Sequence, residues 1–180
     1  MVSKKRLIVI PGDQGSPAKR AATVAFCAAL GLPHRLLAPE APPYLPGSVR
    51  ALLADCTGCS VVVIAFSAGV VGAAAALQRS YLVGAGITIE ALIALDGWLV
   101  PLFHAFPIYR LSHDAFTHRT SLPFGMGRTN FFADPAVAHL DLWTAPNRVV
   151  GWQVTGNTRV PTTALAFIYS RLREHSCTAD

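Results

Sequence analysis

Apolar residues along the chain fall into short continuous runs separated by segments of helical spacing, and strict alternation is rare. Leu7–Ile10 is entirely apolar and stops at Pro11-Gly12, as a strand buried on both faces should. Pro17–Leu30 then places Ala22, Val24-Ala25-Phe26 and Ala29-Leu30 at helical spacing, with Ser16 as N-cap, Pro17 in the first turn and Gly31 as terminator. The same reading gives strands at His34–Leu37, Val61–Phe66, Ile89–Leu95, Pro107–Leu111 and Asn130–Ala133. It gives helices at Ser48–Leu53, Ala68–Gln78 and Thr163–Arg173, the last capped by Thr162. Strands alternating with helices predict an α/β fold: a three-layer sandwich whose mostly parallel sheet of about six strands carries helices on both faces. No repeat or low-complexity linker interrupts the 180 residues, so residues 1–180 are expected to form one domain.

Composition sharpens this picture. The chain is 52% hydrophobic and only 14% charged, with a mean hydropathy of +0.43, which excludes disorder and raises the question of a membrane span. The longest uncharged stretch, Cys56 to Gln78, is broken by Ala65-Phe66-Ser67-Ala68-Gly69 and reads as strand, turn and helix, so no transmembrane segment is expected. Lys4-Lys5-Arg6 precede too short an apolar run for a signal peptide. A cytoplasmic location follows as the expectation. The formal charge of +5 comes from scattered basic residues without a nucleic-acid motif, so nucleic acid is not an expected partner. Cys56-Thr-Gly-Cys59 has metal or redox spacing but precedes a strand, and Cys27 and Cys177 form no second pair; free thiols in a reducing compartment are expected.

Ligands on parallel sheets sit at the carboxyl ends of the strands, so the residues just after each strand are the candidate site. Val63-Ile-Ala-Phe-Ser67-Ala-Gly69 puts a serine on a tight turn between a buried strand and a small-residue helix, with Ala65 and Gly69 leaving room for the turn. That placement pushes the hydroxyl into solvent and aims the helix N-terminus at a developing oxyanion.

The segment resembles the nucleophile elbow of the α/β-hydrolase superfamily, G-x-S-x-G, with Ala65 in place of the first glycine. The resemblance implies a compact serine esterase, lipase or thioesterase without a large cap domain. It implies an oxyanion hole formed by the backbone of Ala68 and of the early loop Pro11-Gly-Asp-Gln-Gly15, with Asp13 or Gln14 supplying the second N–H. The superfamily order of serine, acid, histidine makes Ser67 the nucleophile, Asp114 the first choice of acid and His139 the first choice of base. Asp96 competes for the acid because it follows the preceding strand, with Asp134 and Asp141 behind it. His118 and His113 compete for the base.

Gly97–Phe106 is rich in apolar residues, and Trp98 and Phe103 are the expected substrate contacts, forming a wall for an acyl chain or other hydrophobic ester. The partner is then a small-molecule ester or acyl substrate. His113-Asp114 with His118 lacks the pattern of a metal site, and neither a metal nor another cofactor is expected. Two alternatives use the same fold: a non-catalytic binding protein, and an acyltransferase working through the same triad.

Overall fold

The computed structural model describes residues 4–177. Among them, seven helices pack on a single eight-stranded sheet. In chain order the elements are β1 (Lys4–Ile10), α1 (Pro17–Leu30), β2 (Arg35–Leu36), α2 (Pro46–Leu53), β3 (Cys59–Phe66), α3 (Ala68–Ala76), α4 (Arg79–Ala85) and β4 (Thr88–Leu95). They continue with β5 (Ile108–Ser112), α5 (Ala115–Ser121), β6 (Thr129–Ala133), α6 (His139–Thr144), β7 (Val150–Thr155), β8 (Thr158–Thr163) and α7 (Ala164–Glu174). The sheet order is β2-β1-β3-β4-β5-β6-β7-β8. The first six strands run parallel, while β7 is antiparallel to β6 and β8 to β7.

The α/β class and the mostly parallel sheet agree with the sequence pattern; the strand number does not. The two additional strands form a hairpin over Val150–Thr163 that turns at Gly156, whose φ is +57°. Its Gly156-Asn157 turn is a hairpin signature, but β8 is largely exposed and gives no apolar run. The helices α4, α5 and α6, of seven, seven and six residues, are also additions to the expected pattern.

Period-two geometry explains the high apolar content. All eight residues of β3 are buried. Val62, Ile64 and Phe66 face one side with Phe26 and Leu30 of α1, Trp143 of α6 and Phe167 of α7. Val61, Val63 and Ala65 face the other with Val49 and Leu53 of α2, Val70 and Ala73 of α3 and Leu82 of α4. A sheet covered twice needs strands that are apolar on both faces, and residues that raised the membrane question are used there. No helix among the described residues is long and apolar enough to cross a membrane.

The helix starts and stops follow local chemistry. Ser16 Oγ accepts from the Lys19 N–H, and the Gly31 N–H, in a left-handed cap, reaches the Cys27 carbonyl. The last helix is capped by Thr163, one residue later than the sequence suggested, through acceptance from the Ala166 N–H. All four cysteines are free, and burial raises the Cys56 thiol above its ordinary range, which disfavours a reactive thiolate.

The direction in which strands are added to the sheet reverses between β1 and β3: the chain leaves β1 for β2 at the edge, then returns on the other side of β1 to build the rest of the sheet. This switch point places the ends of β1 and β3 beside a crevice. The loops after β4 and β5 are joined underneath by Arg110. Its buried guanidinium donates to the carbonyls of Gly97 and Val100 in one loop and of Phe124 and Gly125 in the other. Burial pushes its pKa down to about 10, leaving it charged at neutral pH. Replacing Arg110 by Met leaves the carbonyls of Val100 and Gly125 without a donor, while Gly97 O and Phe124 O keep the N–H groups of Val100 and Leu102; with unmade buried hydrogen bonds costing about 1–3 kcal/mol each, we expect a loss of at least about 2 kcal/mol. Thermal unfolding should show a midpoint lowered by roughly 4 °C or more; an unchanged midpoint would refute the tethering role.

Candidate active site

Ser67 stands between β3 and α3 with φ +51° and ψ −119°, a backbone conformation that a residue with a side chain rarely adopts. Such strain costs about 1–3 kcal/mol and persists only where neighbours hold it. The Ser67 N–H donates to Leu95 O at 2.9 Å, and Ser67 O accepts from the Val70 N–H. Close approach of β1 explains the glycine two residues on: a Cβ at Gly69 would lie 2.4 Å from Pro11 O and 2.7 Å from Ile10 O. The need for a small residue at 69 therefore comes from the end of β1. Gly12 sits against the serine itself, since a Cβ there would be 3.2 Å from Ser67 Cβ.

The carboxylate next to His139 is that of Asp96. Its side chain is 1% exposed. Oδ1 accepts from the His113 backbone N–H at 2.9 Å, and Oδ2 accepts from His113 Nδ1 at 2.9 Å and from His139 Nδ1 at 2.8 Å. Burial pushes its carboxyl pKa up, but the hydrogen bonds from His113 and His139 and the charge of His113 outweigh it, leaving the group below the usual carboxylate range. His113 shifts the opposite way: its hydrogen bond to Asp96 and the charges of Asp96 and Asp114 raise it, against the opposing effect of burial.

Asp114, the first choice from sequence, has another position. Its Oδ1 caps α5 by accepting from the Thr117 N–H at 2.6 Å, and its Oδ2 lies 3.4 Å from His113 Nε2. The structure brings His139 to Asp96 and leaves Asp114 one residue removed, behind His113. His139 opens α6 instead of lying on a free loop. His118 is buried against Phe132, ring centroids 5.1 Å apart, and lines a separate cavity with Asn130 and Arg128. Burial and the charges of Arg119, Arg159 and Arg110 lower its pKa, favouring a neutral ring. Asp134 accepts from Trp152 Nε1 at the sheet edge.

Ser67, Ala68, Asp96, His113 and His139 line one cavity of about 530 Å³, whose remaining wall comes from Val71, Gly97, Trp98, Val100 and Thr117. No hydrogen bond joins the Ser67 and His139 side chains among the described residues, a contact that in free enzymes often tightens only when substrate arrives. The two imidazoles differ in their far nitrogens. Nε2 of His113 faces Asp114, whereas Nε2 of His139 has no protein partner among the described residues. Trp98 is held by Nε1 donation to Thr120 Oγ1 and packs near Phe116. Phe103 lies elsewhere, lining a separate cavity with Leu77, Arg79 and Leu82.

The early loop is fixed beside this cavity. Gln14 is buried and donates to Gly12 O and Thr23 Oγ1; Thr23 Oγ1 also accepts from Trp143 Nε1 of α6. Asp13 is exposed, accepting from Lys19 Nζ and the Gly15 N–H. Asp13 and Gln14 line another cavity, of about 460 Å³, with Arg20 and Tyr44, while Gly12 packs against Ser67. The role of His113 could not be read from spacing, because its meaning depends on β4 and β5 being sheet neighbours. Asp96, His113 and His139 also have donor atoms within 4.8 Å of one another, compact enough to raise the question of a metal. Both Nδ1 atoms are engaged with Asp96 Oδ2, and Nε2 of His139 is the ring nitrogen of the group without a protein partner among the described residues.

No family model and no curated protein matches the chain.

The opposite shifts of Asp96 and His113 fix a pH window. A carboxyl lowered on folding stabilises above its unfolded pKa, and that stability is lost as pH falls through the folded value. A histidine raised on folding stabilises below its unfolded pKa, and that part is lost as pH rises through the raised value. Asp96→Asn should therefore cost stability most between these limits, on the order of 2 kcal/mol at pH 6. Urea unfolding across pH should show the gap to wild type closing at acid pH and narrowing at alkaline pH; a pH-independent gap would contradict the linkage.

Proposed function

We propose that the chain is a serine hydrolase of the α/β-hydrolase type that cleaves a carboxylic ester or thioester through an acyl-enzyme on Ser67. The observation that carries the reading is the 2.8 Å bond from His139 Nδ1 to buried Asp96, with the other face of that imidazole free in the cavity lined by Ser67. Asp96 thus takes the acid's role, and Asp114 does not.

In this mechanism His139 Nε2 takes the Ser67 Oγ proton as Oγ bonds to the substrate carbonyl carbon. Asp96 fixes the imidazole with Nδ1 protonated and balances the cation that forms. The carbonyl electron pair moves onto oxygen, where the Ala68 N–H, free of an intrahelical partner at the start of α3, and an N–H of the Gly12–Gln14 loop stabilise it. Collapse breaks the bond to the leaving group, which takes the proton from His139. Water, deprotonated by the same nitrogen, then releases the acid and restores Ser67. Val71, Val100 and Trp98 offer an apolar wall for the acyl or alcohol part, without Phe103. Four free thiols support a reducing, cytoplasmic setting.

A fluorophosphonate probe should label wild type and leave Ser67→Ala unlabelled. On a short p-nitrophenyl ester, Ser67→Ala, His139→Ala and Asp96→Asn should each lose about 10³-fold or more in kcat/KM. Asp114→Asn, which keeps a capping side chain, should lose no more than about tenfold. Equal labelling of Ser67→Ala, or a larger loss in Asp114→Asn than in Asp96→Asn, would overturn the assignment.

A further inference from the structure

Asp96 receives two of its three hydrogen bonds from one residue, and that residue also holds the loop that carries His139. The His113 backbone N–H and Nδ1 grip the two oxygens of the Asp96 carboxylate from one side, at 2.9 Å each. Its carbonyl accepts from the Val137 N–H at 3.0 Å, two residues before His139. Nε2 faces Asp114 Oδ2 at 3.4 Å, and Asp114 is in turn fixed as the cap of α5. The His113 and His139 rings meet edge to face with centroids 5.9 Å apart. A carboxylate held only by His139 could rotate about its last bond and offer that imidazole a poorly aligned oxygen. With Oδ1 bound to the His113 backbone and Oδ2 to its ring, rotation is blocked and the remaining approach to Oδ2 is the one His139 occupies.

We propose that His113 is a positioning residue for the hydrolytic site, a second imidazole that clamps Asp96 and sets its Oδ2 for His139. The inference rests on the hydrolase reading for its kinetic consequences, but the clamp itself is a property of the two His–Asp bonds. Its ring donates and does not exchange protons with substrate: one nitrogen is spent on Asp96 and the other faces Asp114. The charged and titratable groups facing His113 are Asp96 from the end of β4, Asp114 from the start of α5 and His139 from α6.

The donor role and the charge of His113 can be separated. Asparagine can place an N–H where Nδ1 stands but carries no charge; leucine retains bulk and has no donor. His113→Asn should keep the plateau of kcat/KM within about threefold of wild type. Its acidic limb should move to higher pH, because Asp96 no longer shares its charge with a second cation. His113→Leu should lose about 10- to 100-fold, in kcat and not in KM, since the residue does not hold substrate. Proton NMR of the full chain supplies a readout independent of turnover. Wild type should show two far-downfield imidazole N–H resonances, of which His113→Asn removes one and shifts the other, and His139→Gln removes the second. The clamp is refuted if folded His113→Leu matches wild type in kcat and pH profile, if His113→Asn is as impaired as His113→Leu, or if only the His139 resonance is present. If both resonances are found while Ser67 takes no probe, the clamp stands and the hydrolase reading fails.

Discussion

An ionised carboxylate inside an apolar sheet edge is costly, by several kcal/mol, unless donors replace the water it loses. Asp96 is that group, and the site is arranged around satisfying it. Its donors come from the ends of β5 and from the helix after β6, and the sheet order β4-β5-β6 makes these elements consecutive neighbours. Three segments that are far apart in sequence meet because their strands lie side by side and all end at the same edge. Removing the charge leaves two inward-facing imidazole donors competing for a weaker acceptor, so the demand is mutual.

Aromatic packing carries the same order into the core. His139 and Trp143 lie four residues apart on α6, hence on one face of the helix, and both rings stack on Phe66 with centroids at 4.7 and 5.0 Å. Trp143 stacks in turn on Phe26 of α1 at 3.6 Å. The His139 ring is therefore set by Phe66, the residue immediately before Ser67. Thr23 closes the circuit, joining Trp143 to Gln14 and so relating α6 to the loop beside Ser67.

The parts of this arrangement visible in the sequence are those written in local chemistry. Continuous apolar runs revealed the parallel strands, Ser16 and Gly31 revealed the limits of α1, and the small residues around Ser67 revealed the tight turn. His139 was singled out by its position after the sixth strand, and the structure sets its Nδ1 against Asp96. Which carboxylate it would meet was not legible, since Asp96 and Asp114 both follow strands, and only the side-chain geometry separates a buried acceptor of three N–H groups from a helix cap. The β7–β8 hairpin escaped because an exposed edge has no need of apolar residues. Phe103 resembled Trp98 in type and neighbourhood, but the loop turns between them, and spacing carries no record of a turn in irregular chain.

The strained residues show how Ser67 and Asp96 are kept in register. Ser67 and Asp96 each have positive φ at the end of adjacent strands. Each N–H continues the ladder by one more bond to the next strand: Ser67 to Leu95 O at 2.9 Å, Asp96 to Leu111 O at 2.8 Å. Thus the strand that positions Ser67 ends on the strand that positions Asp96, and that strand ends on the one leading to His113. Unfavourable backbone at two points is held by regular backbone between them, which lets the sheet impose side-chain directions that neither turn would adopt alone. The separation of Ser67 and Asp96 is then a consequence of strand spacing, and His139 is brought to them from α6 by its stacking on Phe66 and by the Val137–His113 bond.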